Sequence, residues 1–324
     1  MKFVTIPQNG ASWNEELIYE FLCSDDAAPR DVRFEIINDD RSELIGELVL
    51  RGVTGGSFNI APYVRRYLLP KLAQPPQQAT LIPSHAAINV VVRSGDVRSP
   101  RRLLFRAPFD YSSVGVMTKY SVPRRVALGG TILLTVFAMR RAQVELYGVD
   151  DAMQRVSTFT SITAGRPMDM FLKVDSRFEG FRRLVMRITT DDNLVEELVY
   201  KLLPPLSGGC EVVWHNASGG YEVSTMPLVR RLSDVVKVRS MMLAEGSDNR
   251  LVEAYSTLRL SSAMEHPDEV QRLAEIIRSP YVYMVENDAL SVVELVERRI
   301  DYDRHGGLKQ LSIDIRRALK GGGL

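Results

Sequence analysis

The most apolar stretch of the chain is VALGGTILLTVFAM, residues 126–139. It is shorter than the roughly 20 apolar residues that a membrane-spanning helix needs. It also contains Gly129, Gly130 and two threonines, and its many β-branched residues favour a strand over a helix. We therefore predict a buried β-strand that is entered through a turn at Gly129–Gly130. This stretch argues for a β protein without a membrane span.

Short apolar runs of the same kind recur on both sides of this stretch, and turn residues separate them. The spacing of about 8 to 12 residues between runs is typical of β-sandwiches and barrels, and not of βαβ units. We predict a mainly β fold with two or three sandwich-like domains and one short helix near the C-terminus. The predicted strands are 32–37, 44–50, 88–92, 103–105, 143–147, 157–162, 168–174, 184–188, 197–202, 212–214, 221–226, 235–242, 251–260, 281–285, 292–296 and 311–315.

Two segments have helical patterns. In residues 267–278, Pro267 suits the first helical turn and two acidic residues follow it, while apolar residues recur on one face. Ser279–Pro280 ends this segment. In residues 62–72, Pro62 also suits a first turn, and we expect Pro70 to end that helix early.

Three domains are expected along the chain. The predicted units are an N-terminal β-sandwich-like domain over 1–108, a middle β domain over 109–206 and a C-terminal β domain over 207–324 that carries the helix 267–278. The clearest linker is LPPLSGG at residues 203–209. The glycine-rich residues 320–324 are expected to be a frayed tail.

Composition excludes several classes of protein. The 324 residues carry 41 Lys and Arg against 40 Asp and Glu, a formal charge of +1, so no global basic field indicates nucleic acid or an anionic membrane. The N-terminus has no sustained apolar region before Pro7 and is not a typical signal peptide. Only Cys23 and Cys210 are present, which excludes a disulfide-rich scaffold. We expect a cytoplasmic chain.

Motifs for catalysis or cofactor binding are missing from the sequence. The four histidines lie far apart, without metal-ligand spacing, and no nucleophile elbow or phosphate-binding loop occurs. We therefore predict no cofactor, no metal and no enzymatic activity. Arginines cluster near residues 93–106 and 124–141 without interleaved aromatics, so we interpret them as charged hairpin edges and expect no nucleic-acid contact. The paired aspartates at 25–26, 39–40, 150–151 and 191–192 are interpreted as turn caps.

The most distinctive segment is CEVVWHNASGGYEVSTMP at residues 210–227. Its asparagine and glycines suit a hairpin turn with positive φ angles, and Trp214 and Tyr221 are expected to meet across the strand pair. A packed aromatic hairpin is one interpretation. The other is an exposed aromatic platform for a sugar or peptide, with Trp13 as a possible companion.

This segment also carries a family resemblance. The pattern W-x-N-x-x-G-G-Y-E, formed by Trp214, Asn216, Gly219, Gly220, Tyr221 and Glu222, resembles a hairpin in uncharacterised virion proteins of phages and prophages of gut Bacteroidetes-type bacteria. Residues 57–64 (SFNIAPYV) are similar to a segment near the end of the N-terminal β domain of that group. The third similar stretch lies at the C-terminus. In it a helix is followed by residues 279–283, by a hairpin through Val292 and by the last strand at 311–315.

The resemblance implies a non-enzymatic structural or assembly protein of a phage or prophage particle, tail- or baseplate-associated, that works through multivalent protein–protein contacts. Its partners would be other virion or assembly proteins and further copies of itself, and Trp214, Asn216, Gly219, Gly220 and Tyr221 would form an interaction hairpin. The first alternative is a carbohydrate-binding β-sandwich module with an exposed Trp platform. A glycan hydrolase with carboxylates distant in sequence is the least favoured alternative.

Overall fold

In a computed structural model, the described residues are 1–24, 28–72, 81–108, 115–149, 157–162, 165–190, 193–243, 246–286, 289–299, 301–305 and 307–318. The predicted aspartate pairs at 25–26, 150–151 and 191–192 and the predicted tail at 320–324 lie outside these residues. Within them, no helix is long and apolar enough to cross a membrane.

The N-terminal strands form two sheets that face each other across an aromatic core. One sheet has the order β1-β2-β5, and the other has the order β4-β3-β7-β8, with β9 also paired to β7. Phe21 of the first sheet and Phe34 of the second pack edge to face at 4.8 Å between ring centroids. The elements are β1 Lys2–Thr5, β2 Ile18–Leu22, β3 Arg30–Asn38, β4 Glu43–Val53, β5 Gly55–Asn59, α1 Ala61–Leu72, β6 Leu81–Pro83, β7 Ala87–Ser94, β8 Val97–Arg98 and β9 Arg102–Phe105.

Helix α1 confirms the predicted helix at 62–72, but Pro70 lies inside it and does not end it early. Because Pro70 is followed by only two helical residues, it removes a single backbone hydrogen bond near the end of the helix.

The middle strands form a second sandwich. One sheet has the order β10-β12-β15-β6, and the other has the order β11-β17-β16-β13-β14, in which β11 and β17 are parallel. Its elements are β10 Gly115–Val116, β11 Arg124–Ala127, β12 Thr131–Phe137, β13 Ala142–Val149, β14 Ser157–Ile162, β15 Met168–Lys173, a 3₁₀ turn Ser176–Phe178, β16 Arg183–Thr190 and β17 Asn193–Leu203.

The stretch at 126–139 folds as predicted. A turn follows β11, with Gly129 at a positive φ of 82°, and leads into β12, every residue of which is buried. Ile132, Leu134 and Val136 point into the core of the middle sandwich, whereas Leu133 packs against residues of the C-terminal sheet. Burial on both faces explains why this run is continuously apolar.

Strand β6 belongs to a sheet of the middle sandwich, although it lies among the N-terminal strands in sequence. It precedes the predicted boundary at residue 108, yet it pairs with β15 of the middle sandwich, with Ile82 opposite Asp169. The predicted domain boundaries at 108 and 206 stay predictions.

The C-terminal strands form one large sheet with the order β19-β18-β22-β23-β25-β21-β20, and β24 also pairs with β25. Helix α2 packs on one face of this sheet, where Leu273 contacts the core. The elements are β18 Cys210–His215, β19 Tyr221–Met226, β20 Leu228–Leu243, β21 Gly246–Ser261, α2 Pro267–Leu273, a 3₁₀ turn Ala274–Arg278, β22 Val282–Glu286, β23 Ala289–Leu295, β24 Asp301–His305 and β25 Leu308–Ala318. The helical segment predicted at 267–278 is confirmed as α2 and its 3₁₀ extension.

Strands β20 and β21 form a ribbon that extends beyond the rest of this sheet. Each has 16 residues, and they pair with each other along their whole length. Strand β25 pairs with β21 only at residues 255–261, so among the described residues 246–254 pair with β20 alone. We call the part formed by residues 236–243 and 246–254 the ribbon; at about 3.3 Å per residue it is on the order of 25 Å long.

The predicted fold class is confirmed: the chain is mainly β, its N-terminal and middle sheets pack as sandwiches, and one short helix lies near the C-terminus.

Candidate functional site

The hairpin that the sequence singles out consists of β18, β19 and the turn 216–220. Asn216 closes the turn with its side chain, because its Oδ1 accepts a hydrogen bond from the backbone N–H of Gly220 at 3.0 Å. Gly219 has a φ of 90°, a conformation that favours glycine. The expectation of positive φ is therefore correct for Gly219 and wrong for Asn216 and Gly220, because neither is among the described residues with positive φ.

The register of the hairpin differs from the prediction. His215 lies opposite Tyr221, with ring centroids 4.2 Å apart, and Trp214 lies opposite Glu222. The expected contact between Trp214 and Tyr221 is wrong because the five-residue turn makes His215 and Tyr221 the last pair. Neighbouring positions on a strand point to opposite faces, so Trp214 faces α2 and Tyr221 faces the middle sandwich.

The hairpin is buried within the chain. Trp214 is 0% exposed, Tyr221 3% and Asn216 4%. Trp13 is also 0% exposed, in the N-terminal core. The prediction of an exposed tryptophan platform for carbohydrate binding is therefore wrong, because neither tryptophan offers a face to a sugar.

The hairpin is fixed to the middle sandwich by hydrogen bonds between side chains and backbone groups. The Tyr221 N–H donates to Thr135 Oγ1 at 3.0 Å, and Asn216 Nδ2 donates to the carbonyl oxygen of Met117 at 2.7 Å. A Cβ on Gly220 would lie 2.8 Å from that same carbonyl oxygen, so only glycine fits at this position. The candidate interaction residues are thus brought together, but their contacts are within the chain.

A second contact between the sheets involves a carboxylate. Both oxygens of Glu211, on β18, accept the N–H of Thr131 at the start of β12, at 2.8 and 3.0 Å. Oxygen Oε1 occupies the space that a Cβ on Gly130 would need, so the Gly129–Gly130 turn also makes room for this side chain.

A buried ion network links three elements beside the hairpin. Glu222 of β19 accepts from Arg124 of β11 at 3.1 Å and from Arg272 of α2 at 2.7 Å. Arg272 also bonds Glu269 at 2.7 Å and lies over the Trp214 ring. Arg124 is 2% exposed, so the interpretation of its arginine cluster as a charged edge is wrong at this position.

Electrostatics keep this network ionised. Burial alone would raise the pKa of Glu222, but the guanidinium groups of Arg124 and Arg272 outweigh burial and hold this pKa below its ordinary value. A buried pair of this kind is a poor source of net stability but is costly to break. Its effect here is to fix β11, β19 and α2 in one arrangement.

Asp169 is a buried carboxylate of a different kind. It lies opposite Thr135 and accepts the hydroxyl of Thr135 at 2.7 Å, while that hydroxyl oxygen accepts the N–H of Tyr221. Burial raises the pKa of Asp169 to about 7, although hydrogen bonds from Thr135 and Ser84 oppose the rise. We call the hairpin, the ion network and this Thr135–Asp169 pair the joint.

Nothing in the joint resembles a catalytic centre open to substrate, since its charged groups are buried against one another. Over the described part of the chain, no group of three His, Cys, Asp or Glu side chains could hold a metal ion. Asp39 and Asp40 lie in the turn between β3 and β4 and pair with arginines, in agreement with their interpretation as turn residues. The network was missed because Arg124, Glu222 and the α2 pair of Glu269 and Arg272 lie far apart from one another in sequence.

Comparisons with known proteins add little. No protein-family model matches the chain, and no curated protein matches it. A solved structure described as a marsupial T cell receptor is similar over 98% of this chain and 92% of its own chain, with 8% sequence identity and a TM-score of 0.19. A likeness at that score carries no argument.

Proposed function

We propose that the chain is a non-enzymatic structural component of a phage or prophage particle, tail-associated, that assembles through protein–protein contacts made by the β20–β21 ribbon. The observation that carries this proposal is that residues 246–254 pair with β20 alone in the described chain. Isolated two-stranded ribbons are at best marginally stable in water, and their free backbone N–H and C=O groups are a template for further strands. A neighbouring subunit would satisfy those groups.

The root of the ribbon supports the same conclusion. Residues 230–234 of β20 are all exposed, so both faces of the strand meet solvent there. Leu232 is 43% exposed near the point where the ribbon leaves the sheet, and Leu228, at the start of β20, is 56% exposed. Exposed aliphatic side chains beside an unpaired strand edge are typical of a protein–protein contact.

The joint has a role in this proposal. The ribbon can make the same contact in every subunit only if its direction is fixed relative to the rest of the chain. The buried ion network and the hairpin fix it, because they hold the C-terminal sheet against the middle sandwich. The hairpin would therefore orient the ribbon instead of contacting neighbouring subunits itself. The resemblance of the hairpin and of two further segments to virion proteins supports a particle as the setting.

The proposal is tested in the source strain. Cells are treated with a DNA-damaging agent, released particles are separated on a density gradient, and the fractions are probed for the chain. The chain is expected in the particle peak. Its recovery only as a free chain, from gradients that contain visible particles, would overturn the proposal.

A further inference from the structure

A polar cleft lies away from the joint, between the N-terminal and middle sandwiches. The turn between β3 and β4, the end of α1, the segment after β6 and the residue before Pro167 all contribute to its walls. It holds about 320 cubic ångströms (Å³) of empty space, and this volume includes the open solvent at its mouth. Its charged and hydrogen-bonding walls include Asp40, Arg41, Tyr67, Lys71, His85 and Arg166.

Cations outnumber anions in this cleft. Arg41, Lys71 and Arg166 come from three separate elements, and Asp40 is the one carboxylate among the described residues that line the cleft. Asp40 is already neutralised, since it accepts from Arg101 at 2.9 Å and from Asn89 at 3.0 Å.

The three cations are unequally partnered. Lys71 lies 3.7 Å from Glu43 and over the ring of Tyr67. Arg41 and Arg166 form no ion pair with any carboxylate in the described residues, although Arg41 acts on Glu43 at longer range. Two guanidinium groups are therefore available to an external anion, and guanidinium binds oxyanions in a bidentate manner.

His85 lies among these cations. Burial, together with the positive charges of Arg41, Lys71 and Arg166, lowers the pKa of His85 to about 4. At neutral pH the imidazole is therefore uncharged and presents one N–H donor and one acceptor. A bound anion would offset the three positive charges and favour the imidazolium form.

The turn that carries Arg41 is held in a defined shape. The Asp40 N–H donates to Asn38 Oδ1 at 3.1 Å and the Asp39 N–H to the carbonyl oxygen of Asn89 at 2.8 Å. Ser42 follows with a φ of 54°, an unusual conformation for a residue other than glycine. The position of Arg41 at the cleft is thus set by the backbone.

We propose that this cleft binds a small phosphate-type oxyanion, either free phosphate or the phosphate group of a small ester. Arg41, Arg166 and Lys71 neutralise its charge, and His85 donates a hydrogen bond. The enclosed part of the cleft has room for about one water molecule. The phosphate group therefore binds at the mouth, where Arg41 is exposed, and any ester substituent lies in solvent. The cleft lies apart from the ribbon, so this binding is independent of the role in assembly.

The test is a histidine NMR titration of the full chain with inorganic phosphate up to about 20 mM, which covers the range of weak anion sites. The pKa of His85 is expected to rise by about one unit or more as the cleft fills. His266, whose side chain is 72% exposed, is an internal reference that should not respond in a saturable way. His85→Asn assigns the resonance.

Variants separate this site from general screening by salt. Arg41→Gln and Arg166→Gln are each expected to weaken phosphate binding about tenfold. Arg177→Gln is the matched control, because Arg177 is an exposed arginine paired with Asp175 outside the cleft. Absence of a saturable shift of His85, or equal binding by the Arg41→Gln/Arg166→Gln double variant, overturns the proposal.

A parallel titration with glycerol 3-phosphate identifies the source of the anion. Tighter binding than that of inorganic phosphate assigns the cleft to a phosphate ester. Equal or weaker binding assigns it to free phosphate.

Discussion

Arg272 of α2 and Glu222 of β19 lie 50 positions apart in sequence and form a fully buried ion pair of 2.7 Å. The other oxygen of Glu222 is bound by Arg124, which belongs to the middle sandwich. One carboxylate therefore connects the helix of the C-terminal unit, its edge strand and the neighbouring sandwich. This relationship makes the predicted interaction hairpin an internal contact.

Removing the charge of Glu222 is expected to destabilise the protein strongly. Glu222→Gln leaves the buried Arg124 without its anion and Arg272 with Glu269 alone, which should lower the free energy of unfolding by about 3 to 5 kcal/mol. Glu197→Gln is the control, because Glu197 forms a surface pair with Arg187 and should change stability by less than about 1 kcal/mol. Urea unfolding measures both, and equal effects would refute a structural role for the network.

Asp169 should make stability depend on pH. Because burial raises its folded-state pKa from 3.8 to about 7, the folded protein binds the proton more tightly than the unfolded chain. Its contribution to stability is present below pH 4 and is lost as pH rises towards 7. Asp169→Asn keeps an acceptor for Thr135 but does not ionise, so the variant should be more stable than the parent at pH 8, by on the order of 3 kcal/mol.

The same comparison at low pH supplies the control for Asp169. Near pH 4 the parent carries a protonated Asp169, so the two proteins should differ little. Urea unfolding at pH 4 and pH 8 gives both values. An advantage of the variant that is the same at both pH values would contradict the assigned cause.

Gly220 is expected to tolerate no side chain. In Gly220→Ala the new Cβ would meet the carbonyl oxygen of Met117 at 2.8 Å and Cβ of Thr135 at 3.0 Å, which should cost about 1 to 3 kcal/mol. Gly307→Ala is the matched control, since nothing lies within 4 Å of its Cβ position. Thermal unfolding should show a lower melting temperature for Gly220→Ala alone; equal temperatures would mean that hairpin and sandwich are not packed this closely.

The two tryptophans should be hidden from solvent. Since Trp13 and Trp214 are both 0% exposed, their fluorescence should be blue-shifted and resist quenching by iodide until the protein unfolds. If iodide quenched about half of the emission of the native protein, one tryptophan would lie at the surface. That result would contradict the burial and restore the carbohydrate-binding alternative. The unfolded chain in urea is the reference for full quenching.

Local patterns in the sequence predicted much of the fold. The β-branched run at 126–139 with its glycine pair was sufficient to place β12, and Pro267 with its acidic neighbours placed α2. Short strands with mixed composition, such as β2 and β24, were not predicted, because a few residues of a strand carry too weak a pattern. The crossing of β6 into the middle sheet depends on pairing with β15, which no local signal specifies.

The sequence identified the residues of the candidate site but not their register or their burial. The turn residues Asn216, Gly219 and Gly220 identified the hairpin, yet its register depends on turn length. A shift of one position placed Trp214 and Tyr221 on opposite faces of the strand pair. Burial of the hairpin comes from the middle sandwich, far away in sequence. The partners of Glu222 were hidden for the same reason, since nothing near Arg124 or Arg272 marks them as buried.

Shortening the ribbon tests most directly whether the chain assembles through it. A shortened variant joins Val236 to Ala254, which lie opposite each other, through an Asn-Gly turn that suits a two-residue hairpin. This variant keeps residues 255–261 of β21, which pair with β25, and should unfold at a similar temperature. The measurement is the amount of full-length and shortened chain in particle fractions of the density gradient. We predict that the full-length chain is found with particles and the shortened chain is left free; equal amounts of both with particles would contradict assembly through the ribbon.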